Sequence, residues 1–331
     1  MGRVLLTGAA GFIGARTAAL LLDAGDEVVG VDDLNPAYDV RMKAHRLEGL
    51  CTRPGFRFER LDISARAALE APALAEGGFE AVVHLAARAG VRSSVRDPWV
   101  YVDTNVRGSV NVLELCRRAG IPKLVMASTS SLYGDANPVP YEEDQDTSRP
   151  LSPYAASKAG AEALCHAYHA LHGLDVTILR YFTVYGPAGR PDMSVFRFVQ
   201  GIREGRPIPV YGDGSMSRDF TFVDDIARGT VAALRPLGFE VVNLGGDHPY
   251  RVSELIESIE ARLRRKAIVE HAPAHRADVK STWARIAKAE RLLGWRPQVP
   301  LAEGIDRTVA WYEAERSWAR EIDVHATGPA S

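Results

Sequence analysis

The chain has 331 residues, of which 46% are hydrophobic and 25% charged, and its formal net charge at pH 7 is −2. These values are typical of a soluble protein with one large or two smaller globular domains, and they predict neither a nucleic-acid nor a membrane partner. The cysteines, Cys51, Cys116 and Cys165, form no CxxC pair and are expected to be reduced. We expect no signal peptide before the first strand at residue 3, which predicts a cytoplasmic protein.

A glycine-rich turn joins the first predicted strand, 3–7, to a helix that is expected to end near Ala24. The first glycine permits a tight turn, the second lets the backbone approach a pyrophosphate, and the third allows close packing of the helix on the strand. The pyrophosphate would lie at the helix N-terminus, where unpaired N–H groups and the helix dipole favour an anion. The turn therefore predicts a dinucleotide site, with contacts from Gly8, Gly11, Phe12, Ile13 and Gly14.

An acidic residue, Asp32, follows the second predicted strand, which spans 27–31. A carboxylate at this position of a βαβ unit hydrogen-bonds the ribose hydroxyls of a dinucleotide and repels a 2′-phosphate, so we expect NAD rather than NADP. Segments after the third and fourth strands should also reach the cofactor, because ligands gather at the carboxyl ends of parallel strands. These residues are Asp62 and Ile63, expected near the adenine, and Leu85, Ala86 and Ala87, expected beneath the cofactor.

Strands and helical segments alternate through the first half of the chain. Further strands are predicted at 57–60, 81–84, 123–127 and 176–180. The alternation predicts an α/β fold with a Rossmann, doubly wound parallel sheet. Beyond residue 185, Gly- and Pro-rich segments between helices predict a smaller C-terminal α/β substrate lobe. We expect an NAD-binding domain over 1–184 that also receives roughly 215–243, a substrate lobe over 185–214 and 244–322, and a disordered tail over 323–331.

A tyrosine and a lysine share one face of a predicted helix. Ser152 is a good N-cap and Pro153 suits the first helical position, so the helix should begin here and end near His172. Tyr154 and Lys158 are then i and i+4. A phenol has a pKa of about 10, and a nearby ammonium together with the helix N-terminus favours its phenolate. Alone, this spacing also describes a buried tyrosine beside a solvated lysine; in company with the dinucleotide site, it predicts a proton acceptor for an alcohol.

Four blocks in this order resemble the extended short-chain dehydrogenase/reductase superfamily, in its nucleotide-sugar epimerase/dehydratase branch. They are the glycine turn 8–14, the segment 128–134 (STSSLYG), the Tyr154/Lys158 pair and the segment 218–220 (RDF), and the resemblance covers about residues 1–315. It implies that Thr129, Tyr154 and Lys158 are catalytic, with Lys158 also holding the nicotinamide ribose. It further implies that Asn35, Asn105 and Tyr181 belong to the cofactor site, Asn105 as a supporting polar group.

The residues after Thr129 distinguish the reactions of this branch. Members that dehydrate a hexose have an Asp-Glu pair there, and decarboxylating members have a glutamate two residues after the hydroxyl. Here those positions are Ser130 and Ser131, which cannot exchange a proton as a carboxyl group does. The resemblance therefore implies epimerisation at C4 through a transient 4-keto intermediate, with NAD regenerated in each turnover.

The segment 180–193, with Thr183 before a Gly-Arg-Pro-Asp-Met run, resembles the UDP-glucuronate 4-epimerase subgroup. Hydroxyls of Thr183, Ser130 and Ser131 would then contact the sugar carboxylate. The remaining substrate contacts implied by resemblance are Arg92, Arg190, Tyr211 for the uracil, Arg218 for the diphosphate, and Arg276.

Two alternatives stay open: a neutral UDP-hexose or UDP-N-acetylhexosamine as substrate, and a non-catalytic NAD-binding regulator. A regulator would have no reason to keep the three catalytic residues together. Relatives commonly form homodimers through helices that correspond to about 97–119 and 151–172. His166, His169 and His172 drift around their helix, so no metal site is predicted.

Overall fold

The computed structural model describes residues 2–71, 74, 76–273 and 278–324. The strands are β1 (Arg3–Thr7), β2 (Glu27–Asp32), β3 (Phe56–Arg60), β4 (Ala81–His84), β5 (Lys123–Thr129), β6 (Asp175–Tyr181), β7 (Thr183–Tyr185), β8 (Pro207–Tyr211), β9 (Ser217–Phe222), β10 (Phe239–Leu244), β11 (Pro249–Arg251) and β12 (Ile268–Ala272). The helices are α1 (Phe12–Asp23), α2 (Arg41–Cys51), α3 (Val91–Arg96), α4 (Trp99–Tyr101), α5 (Gly108–Ala119), α6 (Pro153–His172), α7 (Ser194–Glu204), α8 (Val223–Ala232), α9 (Val252–Leu263), α10 (Ala287–Leu293), α11 (Leu301–Ala314) and α12 (Arg316–Ala319). A π turn, Val102–Arg107, joins α4 to α5.

A seven-stranded sheet in the order β10-β6-β5-β4-β1-β2-β3 forms the centre of the molecule, and every neighbouring pair is parallel. This confirms the predicted doubly wound sheet. Strands β4 and β5 are buried along their whole length, as expected for strands covered by helices on both faces. The chain runs from β1 out to β3 and then returns through β4 on the other side of β1. Ligands of such sheets bind at this reversal point, beyond the carboxyl ends of β1 and β4.

The predicted helix of Tyr154 is confirmed at both ends. The Ser152 hydroxyl accepts a hydrogen bond from the Ala155 N–H at 3.2 Å, Pro153 is the first helical residue, and α6 ends at His172 before a left-handed Gly173. Strand β5 continues two residues further than predicted, so that Thr129 is paired in register with Tyr181 of β6. A catalytic candidate is thus held by the sheet itself rather than by a loop.

The chain beyond β7 builds a second hydrophobic core. Two small sheets, β11-β9-β7 and β12-β8, pack with α7, α9 and α11 around buried aromatic and aliphatic side chains such as Phe196 and Ile259. Within this part of the chain, α8 packs on α1 and β10 extends the large sheet. Elements of the C-terminal part therefore contact the first helix and extend one edge of the central sheet. None of the described helices is long and apolar enough to cross a membrane.

Candidate functional site

A cleft of about 350 Å³ opens at the carboxyl ends of the central strands. Most of the residues predicted to form the site line it: Gly8, Gly11, Phe12, Ile13, Gly14, Asp32, Asn35, Asp62, Ile63, Leu85, Ala86, Ala87, Thr129, Ser130, Ser131, Tyr154, Lys158, Tyr181, Thr183 and Arg190. Four others, Asn105, Arg92, Tyr211 and Arg218, are not in the lining, and Arg276 lies outside the described residues. The fold therefore brings the catalytic candidates and most cofactor candidates together. It places three substrate candidates, Arg92, Tyr211 and Arg218, outside the cleft lining.

The glycine turn fits the pyrophosphate of a dinucleotide. Gly8 has φ +77°, and a Cβ on it would lie 2.7 Å from the Ala86 nitrogen. A Cβ on Gly14 would lie 2.0 Å from the Gly8 carbonyl oxygen, so the helix approaches the strand as closely as glycine permits. Helix α1 begins after Gly11 without a side-chain cap, and its first residues line the cleft. An uncapped helix N-terminus of this kind attracts an anion.

Asp32 lines the cleft at the end of β2, beside a lysine that the sequence analysis did not single out. The Lys43 ammonium donates to Asp32 Oδ1 at 2.9 Å and lies 3.6 Å from Asp33 Oδ1, and both Lys43 and Asp32 are buried. The Leu34 N–H donates to the same Asp32 oxygen at 2.9 Å. Asp32 is thereby fixed in orientation, with Oδ2 free of any hydrogen bond from the described residues. This arrangement suits a carboxylate that accepts from ribose hydroxyls.

A buried hydrogen-bond chain holds the floor of the cleft. The Ala86 N–H donates to Thr7 Oγ1 at 3.2 Å, and Thr7 Oγ1 lies 2.7 Å from His84 Nδ1. His84 Nε2 lies 3.1 Å from Ser109 Oγ, which donates to the Asn105 carbonyl at 2.5 Å. Burial lowers the pKa of His84 to about 3, so this imidazole is neutral and can both donate and accept. The chain connects the end of β1 to the π turn.

Asn105 supports the catalytic helix from behind. Its side-chain oxygen accepts from the Arg88 N–H at 2.8 Å, and its amide donates to the Arg88 carbonyl at 3.0 Å and to Ser157 Oγ at 2.9 Å. The Ser157 hydroxyl then donates to the Tyr154 carbonyl at 2.7 Å. Asn105 is 1% exposed, and its hydrogen bonds go to the protein rather than into the cleft. It positions the loop over the cofactor site and the helix of Tyr154.

Tyr154 faces Thr129 across the catalytic end of the cleft. Burial raises the pKa of the Tyr154 phenol, while the Thr129 hydroxyl and the positive charge of Arg190 lower it. The net shift of the pKa is opposite to the lowering expected from Lys158. Removing the phenolate from water costs more free energy than the interactions with Thr129 and Arg190 supply. The Thr129 hydroxyl also donates to Ser131 Oγ at 3.2 Å. Tyr154 therefore needs further positive charge, or an alkaline solution, to act as a base.

Lys158 is 3% exposed, and among the described residues it forms no ion pair. Burial lowers the pKa of its ammonium to about 8. A large fraction of Lys158 is thus charged at neutral pH, and that fraction falls as the pH rises through 8. An unpaired cation that lines the cleft is suited to hold polar groups of a ligand.

Hydroxyl groups surround the space next to Tyr154. Ser130 and Thr183 line the cleft, and neither hydroxyl has a hydrogen-bond partner among the described residues. The Arg190 guanidinium is paired with Asp192, at 3.0 Å through Nε and 2.5 Å through Nη2, and its Nη2 also donates to the Ala89 carbonyl at 3.3 Å. The available donors at this end are therefore hydroxyls and one tethered cation.

Three predicted substrate contacts lie outside the cleft lining, where Arg92 of α3 meets residues of the C-terminal part. The Arg92 guanidinium forms an ion pair with Asp278 and lies over the Tyr211 ring, 3.4 Å from its centroid. Arg218 donates to the Ser217 carbonyl at 2.8 Å and to the Lys280 carbonyl at 3.3 Å. Burial lowers the pKa of the Arg218 guanidinium, and the charge of Asp278 opposes this effect. Among the described residues, Arg92 is thus paired with a carboxylate, whereas Arg218 is held by backbone carbonyls and feels the charges of Asp278 and Asp135.

Comparison with known proteins places these features in one family. The model of the NAD dependent epimerase/dehydratase family matches residues 4–245. The UDP-glucuronate 4-epimerase of Thermodesulfobacterium geofontis is 51% identical over 98% of this chain and 100% of its own. The crystal structure of the UDP-glucuronic acid 4-epimerase of Bacillus cereus with UDP-glucuronic acid and NAD is 36% identical, covers 95% of this chain and 99% of its own, and superposes with a TM-score of 0.88. That of the UDP-glucose 4-epimerase of Thermotoga maritima with UDP-glucose is 30% identical, covers 95% and 99%, and has a TM-score of 0.87.

Proposed function

The chain belongs to the NAD dependent epimerase/dehydratase family, and we propose that it is an isomerase that converts UDP-glucuronate to UDP-galacturonate by inverting C4. One observation carries the choice of reaction. The carboxylates that line the described cleft are Asp32 and Asp33, at the end of β2, and Asp62, just after β3. They lie across the reversal point from Tyr154. No lining carboxylate is therefore available beside the sugar for dehydration or acid-assisted decarboxylation.

NAD, held by the glycine turn, Asp32 and Lys158, supplies a positively charged hydride acceptor that later returns the hydride to C4. The Tyr154 phenolate accepts the proton of the C4 hydroxyl, and Thr129 holds that oxygen through its own hydroxyl. The Lys158 ammonium stabilises the phenolate. After the 4-keto sugar has turned its other face, Tyr154 returns the proton to the C4 oxygen. The configuration at C4 is then inverted.

The free hydroxyls explain how a 4-keto uronate survives in this site. Such a sugar is a β-keto acid, and it loses carbon dioxide when the breaking C–C bond aligns with the carbonyl π system. Ser130 and Thr183, whose hydroxyls have no partner among the described residues, can donate to the carboxylate and hold it away from that alignment. Ser131 lies beside them, with its Oγ accepting from Thr129.

Incubation with UDP-glucuronate and, separately, with UDP-glucose tests this assignment. We expect NAD-dependent formation of UDP-galacturonate and little turnover of the neutral sugar; preference for UDP-glucose would favour the neutral-hexose alternative. In Thr183→Val or Ser131→Ala, turnover of UDP-glucuronate should fall or a UDP-pentose should appear. If neither variant changes rate or product, these hydroxyls do not contact the carboxylate.

Three further assignments belong to this proposal. We place the enzyme in the cytoplasm, because its cysteines are free. We expect a homodimer formed through α4–α5 and α6, since Trp99 is 77% and Val102 48% exposed on the first of these segments. Light scattering of Trp99→Glu should then give the mass of one chain where the parent gives two. We also retain the division into an NAD-binding domain and a substrate lobe with the boundaries given above.

A further inference from the structure

A buried carboxylate behind the site connects three elements that carry catalytic or cofactor candidates. Glu162 lies in the middle of α6, and its side chain is 12% exposed. It accepts a hydrogen bond from Ser128 Oγ at 2.5 Å and two from Arg180, at 3.1 Å from Nε and 2.8 Å from Nη2. Ser128 directly precedes Thr129 on β5, and Arg180 directly precedes Tyr181 on β6. One carboxylate therefore joins β5, β6 and α6 at the level of the cleft.

The ion pair is not explained by stability alone. Arg180 is 4% exposed, and its Nη1 also donates to Tyr133 Oη at 3.0 Å and to the Glu143 carbonyl at 3.1 Å. Burying two charges costs desolvation free energy, and an apolar pair of similar volume is often equally stable. Strands β5 and β6 are already joined by a ladder along their whole length. The pair adds a fixed position of α6 against the end of that ladder. It also places the negatively charged carboxylate of Glu162 inside the protein, on the helix that carries Lys158.

That charge lies one helical turn from Lys158. Residues 158 and 162 are i and i+4 on α6, so their side chains share a face. Burial lowers the pKa of Lys158, and Cys165 and, to a smaller extent, Glu162 raise it. The Cys165 thiol is neutral near pH 7, because burial raises its pKa to about 12. The other titratable groups near the ammonium are His84 from β4, which burial keeps neutral, and the Tyr154 phenol, whose pKa burial raises. Near neutral pH, Glu162 is thus the negative charge that acts on this cation.

We propose that Glu162 is a positioning residue for the C4 epimerisation: it keeps the Lys158 ammonium charged at neutral pH, and through Ser128 it holds Thr129 against Tyr154. The proposal rests on the proposed function, because it assigns Glu162 a role in that reaction. Arg180 orients the carboxylate and balances its charge. Neither residue touches the sugar.

The test is the pH dependence of kcat/KM for Glu162→Gln, compared with Arg180→Met as a matched control. Activity requires both the Tyr154 phenolate and the Lys158 ammonium. In the holoenzyme the positive charge of NAD favours the phenolate, so the fall of kcat/KM at alkaline pH reports the loss of the Lys158 ammonium. In Glu162→Gln, which keeps the shape but not the charge, this alkaline fall should move to lower pH by about one unit. Arg180→Met keeps the negative charge of Glu162, removes the cation that balances it, and disturbs the same contacts between β6 and α6. It should lower kcat without moving the fall to lower pH.

Unfolding in urea between pH 7 and 10.5 gives a readout that does not depend on turnover. In the parent, Lys158 contributes a rise in stability from about pH 8 upward, because the cost of the buried ammonium disappears as it deprotonates. Subtracting the same curve for Lys158→Met isolates this contribution. For Glu162→Gln, measured against Glu162→Gln/Lys158→Met, the rise should begin at lower pH. If Glu162→Gln does not fold, Glu162→Gln/Arg180→Met, which leaves neither ion unpaired, is measured in the same way.

The two proposals can fail separately. An unchanged alkaline fall and an unchanged stability curve in the Glu162 variants would overturn the role of Glu162, even if the parent epimerises UDP-glucuronate. A parent without turnover of any nucleotide sugar would overturn the proposed function, and the stability curves would still show whether Glu162 controls the charge of Lys158.

Discussion

The proposed binding region has two halves that are built in different ways: a cofactor half around the glycine turn and Asp32, and a nucleotide half around Arg92, Tyr211 and Arg218. On the cofactor side, the backbone shape is set by glycines that tolerate no Cβ, and Asp32 is held in place by Lys43 and the Leu34 N–H. On the nucleotide side, the candidate residues hold each other: Arg92 is paired with Asp278 and covers the ring of Tyr211. The glycine turn and Asp32 are thus already shaped for a ligand, whereas Arg92 and Tyr211 would have to exchange their contact with each other for contacts to a ligand.

This difference agrees with the different demands on the two ligands. A cofactor that is regenerated in each turnover can remain bound, and a rigid, preformed site favours tight binding. A substrate must enter and leave, and contacts exchanged for ligand contacts cost part of its binding energy. Four substitutions, in order of decreasing effect, test whether the two halves are independent and where the chemistry between them resides.

Removal of the Tyr154 hydroxyl should have the largest effect. Tyr154→Phe deletes the proton acceptor and should lower kcat by about 10³-fold, within the range for general acid–base catalysis. Binding of NAD and of UDP should persist, because both halves of the binding region are untouched. Tyr101→Phe, whose ring packs edge-on against Tyr154 at 6.1 Å, is the matched control and should retain most of the activity. Equal losses in both variants would argue against a proton transfer by Tyr154.

Lys158→Met should lower kcat about 100-fold and at the same time stabilise the protein. The folded-state pKa of Lys158, about 8, lies below the ordinary value of 10.5, so the buried ammonium costs stability below pH 8. Its removal should raise the free energy of unfolding by up to about 3 kcal/mol at pH 7, and this gain should vanish toward pH 10.5. Urea titrations at the two pH values measure it. A variant that is less stable at pH 7 would show that the ammonium finds compensation in the fold.

Arg218→Met tests the nucleotide half alone. Loss of a guanidinium that forks two phosphate oxygens should raise KM for the UDP-sugar by about 10–100-fold with a smaller change in kcat. Retention of NAD through purification should be unchanged. Arg251→Met, an exposed arginine on the neighbouring strand β11, is a control for the loss of a positive charge. A fall in NAD content in Arg218→Met would show that the two halves are coupled.

Asp32→Asn tests the cofactor half and should have the smallest effect. The amide no longer repels a 2′-phosphate, and the Lys43 ammonium loses the nearer of its two ionic partners, Asp32 and Asp33. Affinity for NAD should fall about 10-fold while affinity for NADP rises, as measured by titration of protein from which the cofactor has been removed. KM for the UDP-sugar should stay the same. An unchanged preference for NAD would mean that Asp32 does not face the ribose.

The parts that could be predicted from the sequence are those fixed by local chemistry. The start of α6 follows from Ser152 and Pro153, and its end from Gly173, because capping and backbone freedom are properties of neighbouring residues. The doubly wound parallel sheet follows from the alternation of strand and helix.

The parts that could not be predicted depend on contacts between distant segments. Lys43 reaches Asp32 because α2 packs against α1 and against β3, the strand next to β2. The segment before α10 is likewise held by a distant residue, since the Ala284 N–H donates to Asp219 Oδ2 at 2.9 Å. The raised pKa of Tyr154 also could not be predicted, because the depth of burial is not visible in a spacing of four residues.

Helix α6 fixes the relative positions of three side chains of the site. Tyr154, Lys158 and Glu162 are spaced by four residues, and each added residue turns a helix by about 100°. A single insertion between the first two would rotate the phenol away from the other pair, and no repacking of nearby side chains could restore all three. Substitutions around the helix can therefore change the rate of this enzyme, but the four-residue spacing of Tyr154, Lys158 and Glu162 has to be kept.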